Sequence, residues 1–254
     1  FYSEQKPSTE GNFWRYADGE ISVWGEFENS SLEYGLSGDG KYYLVTGVKE
    51  GVTSVTVPEI YLGLPVTAIA EGAFADSSIE EITLQKSITE IGARAFENCK
   101  KLRYVNILAV LEKISLRAFY GCESLETVDF YAWAVIREID DFAFYGCAAL
   151  KSVPENSAER IGVSAFENCT SFKTIYISAP IRRVEDRAYF GCSSVETLIV
   201  DNWTRTLGID AFANCQALKN ISGVYTDNEH YIVPKDNCLL ANGEKTLILG
   251  CAGS

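Results

Sequence analysis

Thirteen residues, Ala118-Phe119-Tyr120-Gly121-Cys122-Glu123-Ser124-Leu125-Glu126-Thr127-Val128-Asp129-Phe130, return along this chain in altered but legible form. The pairs that mark them are Ala73-Phe74, Ala95-Phe96, Ala118-Phe119, Ala143-Phe144, Ala165-Phe166, Ala188-Tyr189 and Ala211-Phe212. Successive pairs are 22, 23, 25, 22, 23 and 23 residues apart. Self-similarity at such a period marks a solenoid, in which each unit buries its apolar side only by stacking on its neighbours. A period near 23 lies in the window of leucine-rich repeats.

Each unit has two halves. The first, Ile-x-x-x-Ala-Phe-x-(Asn/Gly)-Cys, predicts a short helical turn. The second, Leu-x-x-Val-x-Ile, predicts a strand, with Leu102/Val105/Ile107, Leu125/Val128/Phe130, Phe172/Ile175/Ile177 and Val195/Leu198/Val200 in equivalent places. The last two positions of each set alternate as one face of a strand does, so Asn106, Asp129, Tyr176 and Ile199 point outward. Before each repeat cysteine stands Asn98, Gly121, Gly146, Asn168, Gly191 or Asn214. Glycine and asparagine take the left-handed backbone most readily, so the turn stops the same way each time. Asp76 holds that place in the first unit, followed by Ser77 instead of cysteine.

Six of the eight cysteines, Cys99, Cys122, Cys147, Cys169, Cys192 and Cys215, therefore fall in one column. Stacked parallel strands lie about 4.8 Å apart and aim equivalent side chains the same way. A disulfide needs converging Cβ vectors, so the column is read as free thiols acting as small buried hydrophobes. Cys238 and Cys251 stand outside it, and a bond between them is open.

The ends do not repeat. Residues 1–40 form an N-terminal cap, with strand-like runs on either side of Asp18-Gly19 and aromatic residues Trp14, Tyr16, Trp24 and Phe27. The solenoid spans 41–223, one degenerate unit (Val52–Pro58 and Val66–Ile69) followed by seven regular ones. Residues 224–254 read as a closing hairpin around Asn242-Gly243. The fold class is thus a leucine-rich-repeat solenoid with parallel strands, short helical turns and β-rich caps at both ends.

Net charge −13, from 35 acidic and 22 basic residues, argues against nucleic acid or an anionic membrane as main partner. It fits a monomer kept apart from its copies by repulsion. No apolar run is long enough to span a membrane. Methionine is absent, which reads as a processed or trimmed chain, and no signal peptide is visible.

Chemistry is sparse. His230, the single histidine, has no persuasive nucleophile or carboxylate set around it. Asp140-Asp141 and Glu185-Asp186 are paired carboxylates of the kind glycosidases use, but solvated turn residues explain them better. Gly38-Asp39-Gly40 is a turn. No metal or cofactor motif is present, and no enzyme is expected. Tyr120 and Tyr145 share a slot in adjacent units and should stack, either as packing or as a strip for sugar or protein contact.

With these residues laid out, the repeats resemble the BspA-like leucine-rich repeats. Ile91-Gly92-Ala93-Arg94-Ala95-Phe96-Glu97-Asn98-Cys99-Lys100-Lys101-Leu102 carries the likeness, as does Ile161-Gly162-Val163-Ser164-Ala165-Phe166-Glu167-Asn168-Cys169. The resemblance implies an extracellular or cell-surface interaction protein of adhesion type, with no catalytic residues. This chain departs from the family pattern after its strands, at Leu108-Ala109-Val110-Leu111, Tyr131–Val135, Ala179-Pro180-Ile181 and Asp201–Thr204. Those apolar residues either present a partner surface or tuck under neighbouring loops. The contact candidates are Tyr104, Asn106, Asp129, Tyr176 and Ile199 on the strands, and Tyr131, Trp133 and Trp203 just past them. A protein partner is the leading expectation. The same aromatics binding glycan, or a passive spacer, are the alternatives.

Overall fold

The computed structural model describes residues 31–130, 136–152, 158–177, 180–201 and 204–222 in full, and the backbone of strands within 13–24 and 231–250. At the N-terminal end β1 (Phe13–Ala17) and β2 (Glu20–Trp24) pair antiparallel across Asp18-Gly19. Next, β3 (Leu32–Leu36) pairs antiparallel with β4 (Tyr43–Val48). The turn between them is tied by Ser37 and Asp39, whose side chains accept from the Lys41 N–H at 3.1 and 3.2 Å.

From there the chain winds as a parallel solenoid of one strand pair per coil. The longer strands are β5 (Ser54–Val57), β8 (Glu81–Leu84), β10 (Tyr104–Ile107), β12 (Thr127–Phe130), β15 (Thr174–Ile177), β17 (Thr197–Val200) and β19 (Asn220–Ser222). They pair parallel and in register, Val55 to Ile82 to Val105 to Val128, and Ile175 to Leu198 to Ile221. From Ile82 onward these columns are buried, and Val55 at the end is half-buried, because period-two alternation points Val and Ile inward and the residues between them outward. Preceding the first of the regular coils, β6 (Ile60–Tyr61) folds back on β7 (Leu64–Ile69), which pairs parallel with both β4 and β9 (Glu90–Ile91). Two-residue strands then line the other edge: β11 (Lys113–Ile114), β13 (Glu138–Ile139), β14 (Arg160–Ile161), β16 (Arg183–Val184) and β18 (Thr206–Leu207). At the C-terminal end β20 (Tyr231–Ile232), β21 (Cys238–Ala241) and β22 (Leu247–Gly250) form an antiparallel sheet, the last two flanking Asn242-Gly243.

The Ala-Phe half is not helical; it is a chain of overlapping turns. In one coil the Ala95, Glu97 and Cys99 N–H groups close turns on Gly92, Arg94 and Phe96 carbonyls at 3.3, 3.0 and 3.2 Å. The alternate N–H groups of Arg94, Phe96 and Asn98 donate to Leu116, Ala118 and Tyr120 of the next coil at 2.9, 2.8 and 2.7 Å. A helix would spend every N–H locally. Turning alternate peptides outward satisfies the backbone and stitches the coils together. The reversal requires left-handed residues, and Asn98, Asn168, Asn214 and Asp76 have φ of 58°, 62°, 60° and 58°, with Gly121, Gly146 and Gly191 at 70–73°.

Inside the turns the aromatic rings form one stack. Phe74, Phe96, Phe119, Phe144, Phe166, Tyr189 and Phe212 follow each other at centroid distances of 5.0, 5.1, 5.1, 5.3, 5.1 and 5.7 Å, all within 15° of parallel. Beside it runs the cysteine column, with no disulfide at any of its six positions. Each thiol does more than fill space. Cys99, Cys122, Cys147, Cys169 and Cys192 donate to the phenylalanine carbonyl of the preceding coil at 2.9–3.2 Å, and Cys215 reaches Tyr189 at 3.5 Å. Burial pushes the thiols of Cys122 and Cys147 well up and that of Cys215 to about 12. At the first step Cys99 moves the other way, drawn down by hydrogen bonding with Cys122 and then Ser77. Thiolate is the reactive form. Native protein treated with a thiol reagent should therefore modify Cys122 through Cys192 at least about a hundredfold more slowly than denatured protein. Mass-spectrometric mapping of each cysteine reads this out, and rapid native labelling of Cys147 would refute it.

Most of the described exit residues tuck in. Ala109, Leu111 and Ile181 are buried; only Val110, 57% exposed, faces solvent. The segment Tyr131–Val135, Ser178, Ala179, Asn202 and Trp203 lie outside the described residues.

Candidate interaction surface

The outward positions of the longer strands form two rows, because parallel in-register pairing carries each slot straight across the sheet. In the first block the rows are Ser54, Glu81, Tyr104, Thr127 and Thr56, Thr83, Asn106, Asp129. In the second they are Thr174, Thr197, Asn220 and Tyr176, Ile199, Ser222. Asn106 and Asp129 are thereby neighbours, both exposed, and Tyr176 sits beside Ile199. Tyr176 is 55% exposed and Tyr104 38%, a large apolar area left in water on a face whose other outward residues are Thr, Ser, Asn and Asp with Glu81 and Ile199. Ile199 is half-buried. Tyr131, Trp133 and Trp203 lie outside the described residues, as does His230.

Beside the rows runs a rail of alternating charge. Glu126 receives Arg103 and Lys151, each at 2.7 Å, and Glu196 receives Lys219 at 3.6 Å. Hydrogen bonds from Lys151 and then Arg103 hold the Glu126 carboxyl down at about 2. Arg103 also places its guanidinium 5.2 Å from the Tyr104 ring centroid, which fixes that ring's outward pose.

On the turn side Tyr120 and Tyr145 do stack, 4.8 Å apart and 6° from parallel. Arginines interleave with that slot. Arg117 pairs with Glu97 at 3.3 Å and lies 4.9 and 5.6 Å from the Tyr120 and Phe142 rings; Arg187 pairs with Glu167 at 2.7 Å and lies 3.7 Å from the Phe190 ring. The sequence signal for these pairs was present, a glutamate after Phe in one unit and an arginine before Ala in the next. It shows only when units are read against each other.

The acidic pairs turn out to be structural. Arg160, 19% exposed, bonds Glu138, Asp140, Asp141 and Glu185 at 2.9, 3.4, 2.7 and 3.2 Å. Burial opposes its charge, and hydrogen bonds to Asp141 and Glu185 outweigh that and raise its pKa further. Lys113 holds Asp140 at 2.7 Å. Asp186 accepts the Ile209 N–H at 2.7 Å. Among the described residues no group of three or more His, Cys, Asp or Glu is arranged to hold a metal, and no helix is long and apolar enough to cross a membrane.

Residues 67–157 and 137–229 match the signature described as BspA type leucine rich repeat region, in six copies, so the match covers well over half of the 254 residues. The chain belongs to the BspA-type leucine-rich repeat family. A leucine rich cell surface protein from Faecalibacterium prausnitzii shares the fold at TM-score 0.71 and 24% identity, covering 94% of this chain. The pneumococcal vaccine antigen PcpA does so at TM-score 0.52 and 24% identity, covering 88%. The chain spans 61% and 55% of those two proteins. No curated protein sequence matches it. In this BspA-type array the repeated residues are the buried ones: the ring stack, the thiol column and the inward Val, Leu and Ile. What varies from coil to coil is the outward rows.

Proposed function

We propose that this chain is a protein-binding module of adhesion type, displayed outside the cell, that meets its partner along the outward rows of the longer strands. The observation that carries the reading is the exposure of Tyr104 and Tyr176 on the outward rows of the longer strands, Tyr104 on the same strand face as Asn106 and Tyr176 next to Ile199. Exposed aromatics ringed by small polar residues are what protein interfaces use as anchors. In this reading the chain is a monomer, with a cap over 1–40, the array over 41–223 and a closing hairpin over 224–254. Export is supported by the likeness to a cell surface protein and to a vaccine antigen, and Trp133, Tyr131 and Trp203 extend the surface by sequence position.

The test is capture of immobilised extracellular proteins by wild type and by Y104A/Y176A. Wild type should retain at least one target, and the double variant should weaken it by tenfold or more, since each buried aromatic anchor is worth about 2 kcal/mol. Hits confined to a glycan array and lost in the double variant would favour sugar binding by the same aromatics. Binding to neither would favour a spacer.

A further inference from the structure

Charged side chains on adjacent coils of this solenoid meet with opposite sign. Lys100 faces Glu123 at 3.1 Å, Glu97 faces Arg117 at 3.3 Å, and Lys113, Glu138 and Arg160 follow one another at 3.5 and 2.9 Å. That is the expected arrangement, because like charges directly opposite on paired strands are destabilising. One stretch departs from that arrangement without a shared carboxylate in contact among the described residues. On the edge sheet Arg160 pairs in register with Arg183, and the Arg205 N–H donates to the Arg182 carbonyl at 2.8 Å, which sets Arg205 next to Arg182. Arg182, Arg183 and Arg205 are all exposed, and among the described residues none forms an ion pair. Arg160 beneath them is saturated by its four carboxylates. Glu159, the nearest carboxylate in the row, is exposed and pairs with none of them.

Three exposed guanidiniums on two consecutive coils thus carry no ion pair among the described residues, in a chain of net charge −13. Guanidinium forks match carboxylate, sulfate and phosphate oxygens two at a time. We propose that Arg182, Arg183 and Arg205 form a binding site for a linear acidic polysaccharide lying along the stacking direction, its carboxylate or sulfate groups taken by successive coils. The spacing favours a sugar polymer over an acidic peptide. Coils repeat at about 4.8 Å, whereas an extended peptide returns a side chain to the same side only every second residue, about 6.7 Å. The net negative charge favours a thin polymer over a broad one. Beyond about 8 Å at physiological salt the rest of the surface is screened, so a thin chain feels the local row, while a duplex would overlap acidic surface as well.

The probes are heparin for sulfate, polygalacturonate for carboxylate and a short DNA duplex, each titrated calorimetrically into wild type and into R182Q/R183Q/R205Q at physiological ionic strength and at higher salt. All three substitutions are on exposed, unpaired side chains and leave the core untouched. Wild type should bind heparin or polygalacturonate, and whichever binds identifies the anionic group. The triple variant should lose at least tenfold, with a shallower salt dependence, and Y104A/Y176A should bind as wild type does, which separates this site from the strand face. The proposal is overturned if wild type binds neither polymer, if the triple variant binds as well as wild type, or if DNA binds as tightly as the sugars.

Discussion

Replacing Phe119 with alanine is expected to cost about 3–5 kcal/mol of stability. The ring is fully buried and lies 5.1 Å from both Phe96 and Phe144, third in a seven-ring stack that runs through every regular coil. Its removal leaves a void between two rings that the hydrogen-bonded turns hold in place. The Phe119 N–H is bonded to Ala143 at 2.8 Å, and its carbonyl accepts both the Cys122 N–H at 3.2 Å and the Cys147 thiol at 3.1 Å. The backbone therefore cannot close around the gap without giving up those bonds. Because solenoid stability is a sum over units and their interfaces, the loss should fall on the two interfaces that the ring bridges. Guanidinium unfolding should show either a much lower midpoint or a transition broken into two steps, as the array divides at the missing ring. Phe119→Leu should lose less, since it refills most of the volume. A single transition within about 1 kcal/mol of wild type would show that the stack is a passenger and that the strands carry the array.

How far this architecture can be read from the chain depends on whether a position is constrained by side-chain size or by partners a coil away. The left-handed residue before each cysteine was legible, because Asn98, Gly121 and Asn168 are types that favour that backbone. A second left-handed position four residues earlier was not. It is held by Arg94, Arg117, Phe142, Ser164, Arg187 and Asp210, with φ of 52–57°, and only Gly72 gives a hint of it. There the backbone is set by the need to aim an N–H at the next coil, and the side chain bears the strain. The same logic explains why a helical turn was expected and a ladder of turns found. The outward strand rows were legible from alternation alone, whereas the thiol donors were not, because a cysteine filling space and a cysteine donating to a carbonyl look alike in sequence. Asp140-Asp141 invited a reading as a local pair. Their partner, Arg160, lies some twenty residues on, and only the coil spacing brings it within 2.7 Å of Asp141.

Arg160→Gln should destabilise the protein by about 2 kcal/mol at neutral pH, between the small value of an exposed pair and the larger one of a buried pair. The substitution leaves Glu138, Asp140, Asp141 and Glu185 clustered with Lys113 as their remaining cation. The sign of the pH dependence follows from the carboxyl groups. Burial pushes Asp140 up, but hydrogen bonding from Lys113 and the nearby positive charges outweigh it and hold it below its ordinary 3.8. A carboxyl lowered in the folded state contributes stability above its unfolded pKa and gives it up as pH falls through the folded value. Wild type should therefore hold its advantage from neutral pH down to about 4 and lose it below. In the variant Asp140 has lost the Arg160 charge, so the gap between the two proteins should shrink towards zero near pH 3 as Asp140 is protonated in both. Thermal unfolding of both proteins across that range reads the difference directly. Arg183→Gln is the comparison, because Arg183 occupies the next place in the same row with no ion pair among the described residues, and it should shift stability by no more than about 0.5 kcal/mol at any pH. If Arg160→Gln were as mild as Arg183→Gln, or if its deficit grew as pH fell, the four carboxylates would have to be solvated individually and the cluster would not be what joins these coils along their edge.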